Sequence, residues 1–389
     1  MKKIYLDNSA TTQICEEALE KYNVASRECY GNPSSLHAMG FEAEKLLSSA
    51  RGEICTSLSA KNSTVIFTAS GSEANNLAII GRALSKERYR KGAKIITTDG
   101  EHASIDSPLA MLESFGLTVV KIPTKNGVLD MDALSREMTP SVILVTMMMI
   151  NNETGALYNL AEVAKIMRQK SPDAFLHVDA TQSYLKLPFT KSSIGADMIT
   201  ISSHKIEGPK GVGALVVGSE VMKARGLAPM ILGGGQEGGL RSGTENVPGI
   251  AAFGEAVRLG AMHLRTRYKH TSELREYLIS EIRKKDELSQ VVITLPESHA
   301  PHILNITVPN IKSETMLHYL SSLGIFVSSG SACSSNSGHH SSALIAYGKS
   351  EKEADSSIRI SLSHKNLKED IDALVAGLVS GVSKLSKIK

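Results

Sequence analysis

Short apolar runs alternate with longer amphipathic stretches over roughly residues 15–255, and this alternation most constrains what the chain can fold into. Buried strands that alternate with helices are typical of βαβ units and of a mostly parallel sheet. Stretches such as Ala74–Lys86 and Leu160–Lys170 are candidate helices. The candidate strands are Val65–Thr68, Lys94–Thr98, Val119–Pro123, Val142–Met148, Phe175–Asp179, Met198–Ser202 and Gly213–Val217. We therefore expect an α/β domain built on a seven-stranded sheet.

The regular alternation ends near residue 255. Long candidate helices follow at Pro248–Glu287. After them come three candidate strands and a last helix, at Ile303–Val308, Ile325–Ser328, Ile358–Leu362 and Leu367–Lys384. A chain of 389 residues has room for two domains. We expect residues 15–255 to form the large domain, and residues 1–14 together with 256–389 to form a smaller α+β domain.

Charge and cysteine content argue against several classes of protein. The 43 basic and 40 acidic side chains nearly balance, which argues against an electrostatic nucleic-acid binder. No apolar run approaches the roughly 18 residues of a membrane span. The four cysteines form no CxxC pair, which predicts a reduced, cytoplasmic compartment and no metal site.

Lys205 follows the candidate strand Met198–Ser202 directly, in the segment SSHKIEGPKG. Active sites of open α/β sheets gather at the carboxyl ends of the strands. Glycine and proline residues after Lys205 hold the chain in tight turns. This segment alone does not distinguish an active-site lysine from an ordinary surface lysine.

A second strand leads into small residues, at Ser70–Ser72, and then into a helix. Backbone N–H groups at a helix N-terminus, together with serine hydroxyls, form a cradle for phosphate. Asp179 ends a third apolar strand, 26 residues before Lys205. It is either the cap of the next helix or the carboxylate that keeps a pyridoxal ring nitrogen protonated. The three features together predict an enzyme that uses pyridoxal phosphate.

With these residues in place, the chain resembles the cysteine desulfurases of the NifS/IscS type, which are fold-type-I pyridoxal phosphate enzymes. The similarity runs nearly from end to end. Its motifs are YLDNSATT (5–12), GNPSSLH (31–37), SGSEANN (70–76), EHAS (101–104), NNETG (151–155), VDATQ (178–182), SHKIEGPKGVGAL (203–215), GGGQEGGLRSGTENV (233–247), SSGSAC (328–333) and SIRISL (357–362). The resemblance implies the aspartate aminotransferase-like fold of the pyridoxal phosphate-dependent transferases.

The resemblance also implies roles for residues around the cofactor ring. Lys205 would carry pyridoxal phosphate as a Schiff base, and Asp179 would pair with the ring nitrogen. Gln182 would donate a hydrogen bond to the 3-oxygen of the ring. His102 would stack on the ring and take part in proton transfer.

Further residues would hold the cofactor phosphate and the substrate. The phosphate contacts implied by the resemblance are Gly71, Ser72, Ser202, His204 and, reaching the site of the other subunit of a homodimer, Thr244. Asn152 and Arg359 would bind the substrate carboxylate, Asn152 contacting the cofactor as well, and Asn32 would assist. The guanidinium of Arg359 is a fork that suits a carboxylate.

Cys333 lies in a serine- and glycine-rich stretch, residues 328–342, which we interpret as a loop. Cys15, Cys29 and Cys55 are interpreted as ordinary packing residues, because free cysteines are usually buried. In the family that the chain resembles, the cysteine at position 333 is the nucleophile. It would take sulfur from L-cysteine as a persulfide and release L-alanine.

The sequence therefore favours a cysteine desulfurase that passes sulfur on for iron–sulfur cluster assembly or for thiolation of tRNA or cofactors. The sulfur acceptor is not identified. A selenocysteine lyase, another fold-type-I enzyme such as an aminotransferase, and a non-catalytic sulfur carrier stay open as alternatives.

Overall fold

The strands of the chain form three sheets in a computed structural model that describes residues 3–85, 91–329 and 341–385. The strands are β1 (Ile4–Tyr5), β2 (Thr64–Thr68), β3 (Lys94–Thr98), β4 (Thr118–Ile122), β5 (Val142–Met148), β6 (Phe175–Asp179), β7 (Met198–Ser202), β8 (Gly213–Val217), β9 (Val292–Thr294), β10 (Ile303–Thr307), β11 (Ile325–Phe326), β12 (Ser328–Ser329) and β13 (Ser357–Ser361).

Helices cover the large sheet and the small sheets. They are α1 (Glu16–Glu28), α2 (Ala38–Ser57), α3 (Gly71–Ala83), α4 (Ala103–Ser114), α5 (Met131–Glu137), α6 (Leu160–Lys170), α7 (Ser219–Lys223), α8 (Val247–Arg283), α9 (Ser313–Ser322), α10 (Ser342–Tyr347), α11 (Glu351–Asp355) and α12 (Lys368–Leu385).

The large sheet has seven strands in the order β2-β8-β7-β6-β5-β3-β4. Strand β8 runs antiparallel to both of its neighbours, and the other pairs are parallel. The predicted α/β fold with a mostly parallel seven-stranded sheet is therefore confirmed. As a consequence of this topology, the carboxyl ends of β2, β3, β5, β6 and β7 meet at one edge.

Alternate residues of each strand fill two apolar layers, one on each face of the large sheet. Strand β2, for example, sends Val65 and Phe67 to one layer and Ile66 to the other. Each fully buried side chain of this size contributes roughly 1.5–3 kcal/mol. Such two-sided burial explains why the strands read as continuous apolar runs.

A third apolar cluster lies between a four-stranded antiparallel sheet, in the order β12-β13-β10-β9, and helices α9 and α12. Ile4 and Leu6, from the start of the chain, belong to this cluster, and β1 pairs with β11. This arrangement supports our proposal that residues 1–14 and 256–389 form one small domain. The two domain boundaries stay a prediction.

Helix α8 packs against both α1 and α2. A Cβ atom added to Gly254 would lie 2.8 Å from Cβ of Ala50, so the glycine permits the close approach of α8 and α2. Helix α1 buries only two alanines, Ala18 and Ala25. The sequence analysis did not predict α1 and α2, because their buried faces carry few large apolar side chains.

Among the helices described, none is long and apolar enough to cross a membrane.

Candidate active site

A cavity of about 400 Å³ opens at the edge where the strands of the large sheet end. The loops that follow β2, β3, β5, β6 and β7 supply most of its wall, and β13 closes it from the small sheet. The cavity brings together ten of the residues predicted from the sequence: Gly71, Ser72, His102, Asn152, Asp179, Gln182, Ser202, His204, Lys205 and Arg359.

Lys205 ends a single helical turn that directly follows β7. Its Nζ atom donates to the backbone carbonyl of Ser9 and, at 2.8 Å, to that of Ala10. The side-chain amide of Gln182 donates to the same Ser9 carbonyl at 3.0 Å. The N-terminal segment of the chain thus forms the wall against which the lysine amine lies.

The N-terminus of α3 faces the cavity with Gly71 and Ser72, as predicted. Ser202 Oγ is buried beside this terminus and has no partner among the described residues. A Cβ atom at Gly213 would lie 2.5 Å from the carbonyl carbon of Ser70, so position 213, behind the turn, has no room for a side chain. Exposed N–H groups and an unpaired hydroxyl are donors that suit an anion such as phosphate.

His204 lies next to this anion cradle and lines the cavity. Its Nδ1 atom is 3.1 Å from Thr11 Oγ1. Burial, together with the positive charges of Lys205, Lys210 and Lys186, lowers the pKa of His204 to about 4. The ring is therefore neutral at pH 7 and can donate one hydrogen bond without adding a charge.

Asp179 ends β6 with both carboxylate oxygens held. Oδ1 accepts from the backbone N–H of Thr181 at 2.9 Å, and Oδ2 accepts from the Asn75 side-chain amide at 2.8 Å. The carboxylate thus has a fixed orientation at the wall of the cavity, as a partner for a ring nitrogen requires.

His102 caps α4 and also lines the cavity. Its Nδ1 atom accepts from the backbone N–H of Ser104 at 3.1 Å and lies 2.8 Å from Ser104 Oγ. Burial lowers the pKa of His102, although the carboxylate of Asp179 opposes this shift. His102 therefore caps a helix and lines the cavity at the same time, and its predicted contact with a cofactor ring stays a prediction.

Arg359, on β13, closes the cavity from the side of the small sheet. Its guanidinium donates to the Asp7 carboxylate at 2.9 Å and to the backbone carbonyl of Asn152 at 3.0 Å. Its Nε atom is buried and has no partner among the described residues. The guanidinium therefore keeps donor capacity for a further carboxylate.

Sequence reasoning missed several polar residues that line this cavity, among them Asp7, Asn75, Ser104 and Glu153. Each lies inside a motif that was recognised, so the motifs contained a signal for them. Burial raises the pKa of Glu153 to about 7, and its carboxyl accepts a hydrogen bond from Ser341 Oγ at 2.6 Å.

Two predicted residues do not line the cavity of their own chain, and a third is not described. Thr244 and Asn32 are exposed and lie outside its lining. The Asn32 side chain accepts from the backbone N–H of Ser34 instead. Cys333 lies outside the described residues, although Ser328 and Ser329, four residues before it at the nearest, line the cavity.

The remaining cysteines were interpreted as packing residues. Cys15, Cys29 and Cys55 are each partly buried. Cys15 and Cys55 pack against the main apolar cluster, and burial raises the pKa of both thiols. No group of acidic, histidine and cysteine residues able to hold a metal ion occurs within residues 3–85, 91–329 and 341–385.

A family model described as aminotransferase class-V matches residues 4–374 of the chain. The chain therefore belongs to the class-V aminotransferase family. A protein named cysteine desulfurase IscS, from Dictyoglomus turgidum, is 36% identical over all of this chain and 96% of its own length. Within the class, the chain belongs to the family of the NifS/IscS cysteine desulfurases.

Solved structures agree with this relationship. A structure titled NifS-like protein has a TM-score of 0.89 and 33% identity, and it covers 98% of this chain and all of its own. A structure titled SspA in complex with cysteine has a TM-score of 0.78 and 29% identity, and it covers 94% of this chain and all of its own.

Proposed function

We infer that the protein is a cysteine desulfurase that converts L-cysteine to L-alanine and transfers the sulfur to Cys333 as a persulfide. One observation carries this inference. A lysine, a fixed carboxylate, an imidazole and a guanidinium converge on one cavity, in a chain whose full-length relatives are named cysteine desulfurases.

The donors and acceptors of the cavity support pyridoxal phosphate as its cofactor. The anion cradle fits the phosphate, with Gly71, Ser72, Ser202 and His204 as its contacts. The unpaired Ser202 Oγ is a buried polar atom that the phosphate of this ligand would satisfy. Lys205 would hold the cofactor covalently, and Asp179 would face its ring nitrogen.

Arg359 and Asn152 would position the substrate. The substrate carboxylate would take its place against the Arg359 guanidinium, whose orientation is fixed by Asp7 and by the Asn152 carbonyl. Asn32 is proposed as a further contact. Because Asn32 does not line the cavity of its own chain, we propose that it contributes to the cavity of the partner subunit.

Pyridoxal phosphate, when bound, would supply an electron sink for charge that develops at the substrate Cα atom. The amine of Lys205 would accept the Cα proton, because it lies in the same cavity as the substrate. The Cys333 thiolate would bond to the substrate sulfur as the carbon–sulfur bond breaks. The Cβ atom would then take up a proton, the Cα atom would regain a proton from Lys205, and alanine would leave.

A homodimer follows from the proposed role of Thr244. The exposed Thr244 belongs to a glycine-rich segment, residues 233–247, none of which lines the cavity of its own chain. The segment is flanked by exposed apolar residues, with Leu232 79% exposed. Exposed apolar surface of this kind is typical of subunit contacts. We propose that Thr244 reaches the cofactor phosphate of the partner subunit.

The test is to supply L-cysteine and a thiol reductant and to measure sulfide and alanine. Cys333→Ser should retain the cofactor but release no sulfide, whereas the matched change Cys29→Ser should leave the rate unchanged. A Cys333→Ser variant as active as the parent would refute the proposal. Products that contain a keto acid, or a strong preference for selenocysteine, would instead assign an aminotransferase or a selenocysteine lyase.

The covalent role of Lys205 has its own test. Borohydride reduction of the purified protein should add the mass of the cofactor to the peptide that contains Lys205. Lys205→Ala should abolish this addition, and Lys210→Ala, which alters an exposed lysine five residues away, should not. Labelling of Lys205→Ala at the parent level would contradict the assignment.

A further inference from the structure

His102 is joined to Asp179 by a chain of hydrogen bonds through two residues to which no role has been given. The Asn75 side-chain nitrogen donates to Asp179 Oδ2 at 2.8 Å and to Ser104 Oγ at 2.9 Å. Ser104 Oγ lies 2.8 Å from His102 Nδ1. Asn75 is fully buried, and the four residues come from α3, α4 and the ends of β3 and β6.

The direction of each hydrogen bond in this chain is fixed by chemistry. A carboxylate can only accept, so the Asn75 group that faces Asp179 is the amino group. Both hydrogens of that amino group are then used, one on Asp179 and one on Ser104. Ser104 Oγ accepts from Asn75, and its own hydrogen is therefore available for His102 Nδ1.

The backbone of Ser104 strengthens the same conclusion. Its N–H group donates to His102 Nδ1 at 3.1 Å, and a backbone N–H cannot reverse its direction. Nδ1 is thus an acceptor, and a neutral imidazole must carry its hydrogen on Nε2. Because Nδ1 is occupied by Ser104, Nε2 is the ring nitrogen that remains for a ligand in the cavity.

The surroundings also favour the neutral ring over the imidazolium. His102 lies at the N-terminus of α4, where the helix dipole disfavours a positive charge. Burial disfavours it further, and Lys205 adds a like charge, whereas Asp179 and Asp106 favour the charged form. A neutral imidazole at a helix N-terminus can polarise a substrate as a hydrogen-bond donor.

We propose that Ser104 and Asn75 hold His102 in the Nε2–H tautomer, so that it serves as a neutral hydrogen-bond donor and not as the base that deprotonates the substrate thiol. A base needs a free lone pair, and the lone pair of Nδ1 is bound to Ser104. The inference rests on the proposed function for the identity of the substrate. The tautomer itself does not depend on it.

Nitrogen NMR of the histidine rings tests the tautomer directly. The holoenzyme would be labelled with ¹⁵N-histidine, and His102 would be assigned by the loss of its signals in His102→Gln. We expect the pattern of a neutral ring with hydrogen on Nε2 throughout pH 6.5–8. A hydrogen on Nδ1, or an imidazolium in this range, would overturn the proposal. The result is readable whether or not the protein releases sulfide.

The role of Ser104 is tested by Ser104→Ala, with Ser107→Ala on the exposed face of the same helix as the control. Loss of the hydroxyl that donates to Nδ1 should raise the titration midpoint of His102 by about 0.5–1 pH unit. Ser107→Ala should leave the midpoint unchanged. An equal midpoint in Ser104→Ala and the parent would contradict a positioning role for this hydroxyl.

Two substitutions of His102 separate a donor from a base. Glutamine keeps an N–H group near the place of Nε2, but it cannot accept a proton, and alanine keeps neither property. If His102 is a donor, His102→Gln should retain a kcat/KM for cysteine about five- to tenfold above that of His102→Ala. Equal losses in both variants would support the base instead.

Discussion

At the scale of single residues, the cavity depends on groups whose partners lie far away in sequence. Asn75 contacts Ser104 and Asp179, which lie 29 and 104 residues further along the chain. Lys205 and Asp179 could be predicted from their positions at strand ends, and Arg359 from its motif. Asn75 and Ser104 could not, because an amide and a hydroxyl acquire a role only through contacts that the fold creates.

Asp179→Asn tests the fixed carboxylate. An amide at this position would present either a second amino group or an amide oxygen to Asn75 and to the cofactor. The amide oxygen is a weaker hydrogen-bond acceptor than a carboxylate oxygen. Loss of charge-assisted hydrogen bonds of about 1.5–3 kcal/mol predicts a kcat/KM reduced by about 10- to 100-fold, measured at saturating cofactor. Asp132→Asn, at an exposed position of α5, is the control. Parent-level activity in Asp179→Asn would remove this carboxylate from the mechanism.

Glu101 predicts how stability depends on pH. Burial raises the pKa of Glu101 to about 8, although hydrogen bonds from Thr98 and Met148 oppose the shift. A carboxyl with a raised folded pKa is protonated when folded and ionised when unfolded, so stability falls as pH rises from about 4.5 to about 8. At about 1.4 kcal/mol for each pH unit of this interval, the cost should reach roughly 5 kcal/mol.

Glu101→Gln should remove that pH dependence. Thermal midpoints of the parent and of Glu101→Gln, measured by calorimetry from pH 5 to pH 8, should diverge, with the parent losing more stability at high pH. Curves that stay parallel over this range would show that Glu101 does not titrate there.

At the scale of elements, the strands of the large sheet were predicted within one residue at each end. The predicted bounds are accurate because these strands are buried on both faces, so that each is an uninterrupted apolar run in the sequence. The predicted strand Ile325–Ser328 is divided in the structure into β11 and β12, and the short strands β1 and β9 were not predicted. For them, pairing depends on distant partners, as when β1 meets β11.

Two glycines on the packed helices α2 and α8 should respond in opposite ways to alanine. Gly254→Ala would force a methyl group against Ala50 and should destabilise the fold by about 1–3 kcal/mol. Gly52→Ala, on α2, meets nothing within 4 Å and should stabilise it by about 0.5–1 kcal/mol. Denaturant unfolding of both variants measures the difference. A stabilising effect of Gly254→Ala would mean that the helices can separate at little cost.

At the scale of the whole molecule, the single chain brings ten of the predicted site residues to one cavity. The predicted residues Thr244 and Asn32 do not line its cavity. The sequence supplied the resemblance from which a second subunit was expected. Neither composition nor periodicity predicts a second subunit, because the residues of a subunit contact are exposed in a single chain, as other surface residues are.

Mixed dimers test whether Thr244 acts on the partner subunit. If Thr244 acts on the partner subunit, a dimer of one Lys205→Ala chain and one Thr244→Ala chain has one site in which both residues are intact. Mixed dimers, purified from co-expressed chains that carry distinct affinity tags, should therefore have up to half of the rate of the parent dimer. Each variant alone should be inactive or nearly so. An inactive mixed dimer would show that Thr244 serves its own chain.

The contact between Arg359 and Asp7 joins positions 352 residues apart, and Ser9 is bound to Ser361 in the same region. During synthesis on the ribosome, Asp7 and Ser9 are made long before their partners Arg359 and Ser361 on β13. The nascent chain can therefore form its large sheet before it has a complete cavity. The proposed contact for the substrate carboxylate stays absent until Arg359 has been made, 352 residues after Asp7.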